Sequence, residues 1–358
     1  MGVRDKAPRS TSKYSKRRSL SLLVPSSTRS FGDENWRTTE AAYIDAWKAA
    51  IALLADRKVA LNGATYIVKI DWTPLLRRHE QHFSAMEYVE EGVTKKSTPR
   101  ALLASLNRFP RKPSRIRVAV HSTSKGAKSL VGIAESVIHD IFLIMNIAAP
   151  GSCNLYKATL LDGKETNEIS LSSSQFELCV LPSRRRKQTA GFVSVEKVTA
   201  WYDLVRPAAG QIPGNSTERA MFALLHMAKL SDEMLAVLWL FYALESLLQT
   251  KVGENFSAIV RRLRLILGDT INDAPLMKRE MRTLYDLRSS IVHGGFEAIH
   301  PMQDESLDAR VEKVFGRLMD ANDYGFVLLV AAIQKMVEAN WPQLRFDEVV
   351  VGESSSNL

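Results

Sequence analysis

Three side chains in the C-terminal third of this sequence can move a proton or hold a phosphate: Glu245, Arg288 and His293. Histidine, with an unperturbed pKa near ~6.5, exchanges protons at physiological pH. Arginine stays charged, and its planar fork matches phosphate oxygens. Glu245 and Arg288 stand out because each interrupts an apolar stripe. Over residues 275–292 the stripe steps through Met277, Met281, Leu284 and Ile291, and the slot that completes it is Arg288. Over residues 232–250 it steps through Met234, Leu238, Phe241 and Leu248, and the missing slot is Glu245. Each helix thus places one charge, of opposite sign, in its core-facing seam. An unpaired buried charge is costly, so the two either pair and fix helix register or share an open cleft. His293 closes its helix just before Gly294 and Gly295, residues that let a helix end.

The run Trp239-Leu-Phe-Tyr-Ala-Leu-Glu245-Ser-Leu-Leu, followed by Tyr285-Asp-Leu-Arg288-Ser-Ser-Ile-Val-His293-Gly294, resembles the HEPN superfamily and, within it, the ApeA-like group. The family's hallmark is an arginine, four intervening residues and a histidine at a helix end. Active members often carry Asn, Asp or His directly after the arginine, where this chain has Ser289. The similarity spans roughly residues 216–340. It implies a helical bundle and a metal-independent endoribonuclease, without cofactor, of the kind found in bacterial toxin and antiphage systems. Arg288 and His293 would be catalytic, with Glu245, Tyr285, Asp286 and Ser289 in support. The RNA 2′-hydroxyl would attack its own phosphate, and a homodimer would face two copies of the site across one cleft. A protein partner or antitoxin is also implied. The alternative is a non-catalytic HEPN module that binds RNA or a protein. Five residues turn an ideal helix by about 140°, so His293 meets Arg288 only if the chain breaks at the glycines.

These residues need a scaffold, and the pattern predicts two kinds. Residues 38–206 mix helical and alternating segments and are expected to form an α+β N-terminal domain. Helices are expected at 38–56, 74–90 and 128–148, and strands at 66–70, 115–121, 154–161, 168–172 and 176–181. From residue 216 to 340 one helical segment follows another: 217–229, 232–250, 255–267, 275–292, 306–319 and 322–339. A Pro- and Gly-rich stretch near 206–215 separates the two. The fold class is therefore α+β, a mixed N-terminal domain followed by an all-α HEPN-type bundle. Residues 341–358 are expected as a C-terminal tail.

Charge is concentrated at the start. Residues 1–37 hold nine Lys or Arg against three carboxylates, +6 of the chain's net +9. This reads as a Ser-rich disordered tail, with an electrostatic arm for nucleic acid as the sharper alternative. Arg184, Arg185, Arg186 and Lys187 form a basic loop that could touch RNA.

The remaining signals are weak. His79 and His82 lack a third metal ligand and are expected on a charged surface turn. The only cysteines, Cys153 and Cys179, have no metal-site spacing and fit a reducing cytoplasm. The most apolar stretch, 234–248, falls short of the ~20 residues a spanning helix needs, so no membrane association is expected. The apolar residues after the basic start are too few for a secretory signal. Residues 124–129 lack the glycine and lysine pattern of a phosphate loop.

Overall fold

The computed structural model describes residues 16–26, 35–94, 106–122, 129–180, 190–229, 233–250, 256–268, 273–300, 302 and 307–347. Period-two alternation builds its N-terminal half. Strands β1 (Lys16–Val24), β2 (Asp56–Leu61), β3 (Ala64–Ile70), β4 (Ser114–Ser122), β5 (Leu155–Asp162) and β6 (Glu165–Leu171) form one antiparallel sheet in the order β2-β3-β4-β1-β5-β6. Leu20, Leu22 and Val24 of β1 are buried on the same face as Ile116, Val118 and Val120 of β4. That face is covered by the helix α3 (Leu130–Ala148), in which every residue from Ile141 to Ala148 is buried. Helices α1 (Trp36–Leu53) and α2 (Thr73–Thr94) pack on each other beside it.

The basic start of the chain departs from expectation. Residues 16–24 are no tail but an interior strand, paired along nine positions with β4 and also with β5. Leu20, Leu22 and Val24 supply its core face, while Arg17 and Ser19 before them are exposed on the other face. Arg78 of α2 donates to the carbonyl of Pro25 and pins the strand's end. The charges outweighed the alternation because an exposed strand face tolerates arginine as readily as a tail does. Residues 1–15 lie outside those described.

Four further differences have local causes. Residues 176–181, expected as a strand, begin inside the helical turn α4 (Ser174–Glu177), whose Phe176 packs edge-on against Phe142 and Phe326. A helix unforeseen by the sequence reading, α5 (Val195–Val205), starts at Ser194, whose hydroxyl accepts from the Lys197 amide. The strand β2 also escaped that reading. The two segments expected at 306–319 and 322–339 are one helix, with Asn322 buried in its middle instead of capping a second. The helix at 234–247 is too short to cross a membrane, as expected; among the described residues the one helix apolar and long enough by length and composition is α3, and it forms the centre of the core.

The C-terminal half is helical: α6 (Ser216–Lys229), α7 (Glu233–Leu247), α8 (Phe256–Leu267), α9 (Ala274–Val292) and α10 (Arg310–Glu338). One apolar core runs from the sheet through α3 and α5 into α6, α7, α9 and α10. The stretch 206–215, expected as a divide, is instead where the halves are tied. Arg206 pairs with Asp140 of α3 at 2.9 Å and with Glu218 of α6 at 2.7 Å, all three side chains at most 8% exposed. Tyr202 donates to the same Asp140, and Gln334 of α10 donates to the carbonyls of Ile147 and Gly191. Residues 341–347 also lie on the body, where Leu344 is buried and its carbonyl accepts from Gln249.

Candidate functional site

Asp273 caps α9, its carboxylate accepting from the Leu276 amide, with Pro275 in the first turn. Met277, Met281, Leu284 and Leu287 of this helix are buried. The core face therefore passes from Leu284 to Leu287, and Arg288 falls at its edge, half-buried. The guanidinium lies 5.6 Å from the centre of the Phe241 ring of α7, a cation–π contact. Tyr285, one turn earlier, meets Phe241 edge-on at 5.8 Å and leans on Phe256 at 5.7 Å. Phe241 is thus the ring that meets Arg288, while Tyr285 and Phe256 behind it carry Arg282 at 5.6 and 5.5 Å.

The expected Glu245–Arg288 pair is not a direct one. Among the described residues no carboxylate makes an ion pair with Arg288. Glu245 is half-buried, and burial pushes its carboxyl above the ordinary value while the Arg288 charge pulls it back. The core face of α7 takes in Val237, Leu240, Phe241, Leu244 and Leu247, so of the stripe read in the sequence Phe241 and Leu248 are buried while Met234 and Leu238 are half-buried. Glu245 therefore opens on a polar groove of about 570 Å³ with Arg219, Tyr242, Gln249, Thr250 and Gln343. Arg288 and His293 are not among the residues lining that groove.

The helix ends where the glycines predicted. His293 is the C-cap residue with φ −98° and ψ 8°, and Gly294 adopts φ +73°. Gly295 and Phe296 donate their amides back to the Ser290 carbonyl, closing the turn. His293 is exposed, and its own amide donates to the Ser289 carbonyl. Asp286 points elsewhere: it is exposed and pairs with Arg282 at 3.2 Å, four residues away. Ser289 is half-buried beside Arg288. The basic loop Arg184, Arg185, Arg186 and Lys187 lies outside the described residues.

Sequence reasoning missed the arginine that is buried in this region. Arg262 of α8 is 4% exposed and donates to the carbonyls of Leu248 and Gln249, closing the C-terminus of α7. The signal was its place between Ile259 and Leu263 on an otherwise apolar stripe. The surface turn expected for His79 and His82 is also corrected. Both turn inward towards the buried Glu40, with His79 Nδ1 at 3.2 Å and His82 Nδ1 at 3.5 Å from its two oxygens. His79 Nε2 lies 3.0 Å from the Ser152 carbonyl, so both its ring nitrogens are engaged within the fold. Among the described residues no three His, Cys, Asp or Glu side chains gather as a metal-binding group. Both cysteines are buried, and burial pushes the Cys153 thiol up to about 12. His300 lines a different groove, with Arg310 and Asp308.

The chain matches no protein-family model, no curated protein and no solved structure.

Proposed function

We propose that the helical half is an HEPN-type endoribonuclease module in which Arg288 and His293 act on one phosphodiester. What supports the reading is a guanidinium held against Phe241, with no ion pair among the described residues, followed five residues on by an exposed histidine at the helix end. The arginine is already partly desolvated by Phe241, so its forked contact with a phosphate would be strong. In the reaction the RNA 2′-oxygen forms a bond to phosphorus and the bond to the 5′-oxygen breaks. His293 takes the 2′-hydroxyl proton, and a proton returns to the leaving 5′-oxygen. The products are a 2′,3′-cyclic phosphate and a 5′-hydroxyl. Arg288 offsets the charge that grows on the phosphoryl oxygens.

A second copy of the chain would complete the cleft. Supporting this, α7 carries Leu235 at 40% and Tyr242 at 42% exposure beside the half-buried Leu238 and Trp239. A toxin or defence role restrained by a protein partner belongs to the same proposal. Light scattering should give a particle of twice 40.0 kDa.

The test incubates the full chain with total RNA and with tRNA in EDTA and identifies the new ends. Cyclic phosphate and 5′-hydroxyl ends are expected from wild type. His293→Ala should lower the rate a hundredfold or more, the usual order for a lost proton shuttle. Arg288→Lys keeps the charge without the fork and should stay largely inactive. A second reading, a non-catalytic module binding RNA or protein, is favoured by the fact that neither residue lines the Glu245 groove. It gains if wild type cleaves nothing or if His293→Ala cleaves as well as wild type.

A further inference from the structure

The sheet has two faces, and α3 covers one. On the other, the strand register sets Arg17 opposite His121, Ser21 opposite Arg117 and Leu23 opposite Arg115. Lys69 of β3 lies across from Ala119 of β4 on the same face. Arg17, Lys58, Lys69, Arg115 and Arg117 are all exposed there. A broad groove of about 970 Å³ crosses β1, β3 and β4 and is walled by Arg77 from the start of α2.

We infer that this open sheet face binds nucleic acid through its phosphates. A solvated sheet face needs polar residues but not an excess of one sign. Here four basic residues, Arg17, Lys69, Arg77 and Arg117, line the groove against only Asp56 and Asp71. Both carboxylates are spoken for, Asp71 by Arg117 and Asp56 by Lys69. Arg17, Lys58, Arg77 and Arg115 make no ion pair among the described residues, so four cations remain for an anionic partner. Arg117 is 85% exposed even while paired, which leaves most of its fork open to a second anion.

The exposed faces of β1, β3 and β4 carry no Phe, Tyr or Trp, with Leu23, Ile67 and Ala119 as apolar ground and the half-buried His121 as their single ring. One imidazole is too little for a platform on which successive bases stack. Recognition therefore falls to the backbone, is indifferent to sequence and depends steeply on salt. A base-paired strand, which presents phosphates and hides its bases, suits the face better than an unpaired one. This goes beyond the ribonuclease reading, which gives the sheet half no role.

The test measures fluorescence anisotropy of a labelled RNA hairpin with the full chain carrying His293→Ala, so that the probe survives. Arg17→Glu with Arg115→Glu is compared with Lys197→Glu plus Lys313→Glu, exposed positions on α5 and α10 that change the net charge equally. The sheet pair should weaken binding about tenfold or more at 0.1 M salt and flatten the log–log salt slope by about two. The control pair should stay within about threefold of its parent. Arg17→Gln with Arg115→Gln serves if the reversal disturbs folding, with a smaller loss and the same flattening. Equal effects of the sheet and control pairs, or none from either sheet variant, overturn the inference. Failure of wild type to cleave, with the sheet effect intact, removes the ribonuclease reading and leaves this one standing.

Discussion

At the level of single residues, Glu245 and Arg288 show why a missing slot in a stripe is ambiguous. A helix turns 3.6 residues, so a stripe spaced four, three and four drifts, and its last member slides off the core. Leu287 takes the seam in α9, and Arg288 settles on Phe241 at the edge. The spacing of Arg288, His293 and Gly294 was legible because it is local. The partner of Arg288 was not, because α7 is apolar on nearly every side and its stripe admits two phases. Glu245 gives a test of which force wins. Its folded carboxyl titrates above the ordinary value because burial outweighs the pull of Arg288. Folding then favours the protonated form, so stability falls as pH rises from the ordinary value through the raised one. Glu245→Gln keeps the shape and removes that penalty. Its urea midpoint should be at or above wild type at pH 7, and the two should converge near pH 3.5. A clearly lower midpoint at pH 7 would mean that attraction to Arg288 dominates.

Among the elements, the helices around the site were legible from their stripes and breaks, and most strands from their alternation. What escaped were elements whose signal competes with another. β1 carries arginines on its open face, and α5 follows a stretch marked by basic residues. The closeness of the helices was also hidden, since contact distance is not written in a periodicity. Gly325 of α10 sets it. A Cβ there would lie 2.6 Å from Leu284 Cδ2 of α9 and 2.9 Å from Leu240 Cδ2 of α7. Both leucines are fully buried, so their tips can give way only by displacing packed neighbours. Gly325→Val should cost about 1–3 kcal/mol by overpacking, despite removing a helix glycine. Gly316 on the same helix has nothing within 4 Å of its added Cβ. Gly316→Ala should be neutral or stabilise by up to about 1 kcal/mol. Chemical denaturation of the two variants separates contact from propensity: equal shifts would show that α10 is not held this tightly. Because Gly325 seats α9 against α7, its variant should also disturb the Phe241–Arg288 contact and lower any cleavage with stability.

For the molecule as a whole, the decisive question is whether the sheet and the helical bundle fold as one. Sequence composition marks a divide at 206–215, and a divide usually means few contacts crossing it. The structure puts Arg206 there, linked to Asp140 and Glu218 and also donating to Ser136 and to the Gly210 carbonyl. Asn215 caps the start of α6 by accepting from the Glu218 amide, and its side-chain amide donates to the Val205 carbonyl. Burial pushes the Asp140 carboxyl above its ordinary value even with Arg206 against it. The arginine is thus what makes two buried carboxylates tolerable. Arg206→Ala leaves both without their ion-pair partner and should cost about 3–5 kcal/mol, the usual scale for breaking a buried ion pair from one side. The manner of unfolding matters as much as the cost. Trp47 and Trp72 report from the sheet half and Trp239 from α7. Single-tryptophan variants should melt at one temperature in wild type and at one lower temperature with Arg206→Ala, because α3, α5, α6 and α10 share a single core. Two separated transitions in wild type would mean that the halves are independent domains after all. A sheet that captures nucleic acid could then reach the Arg288–His293 site only as a tethered partner; a shared core fixes the distance between them.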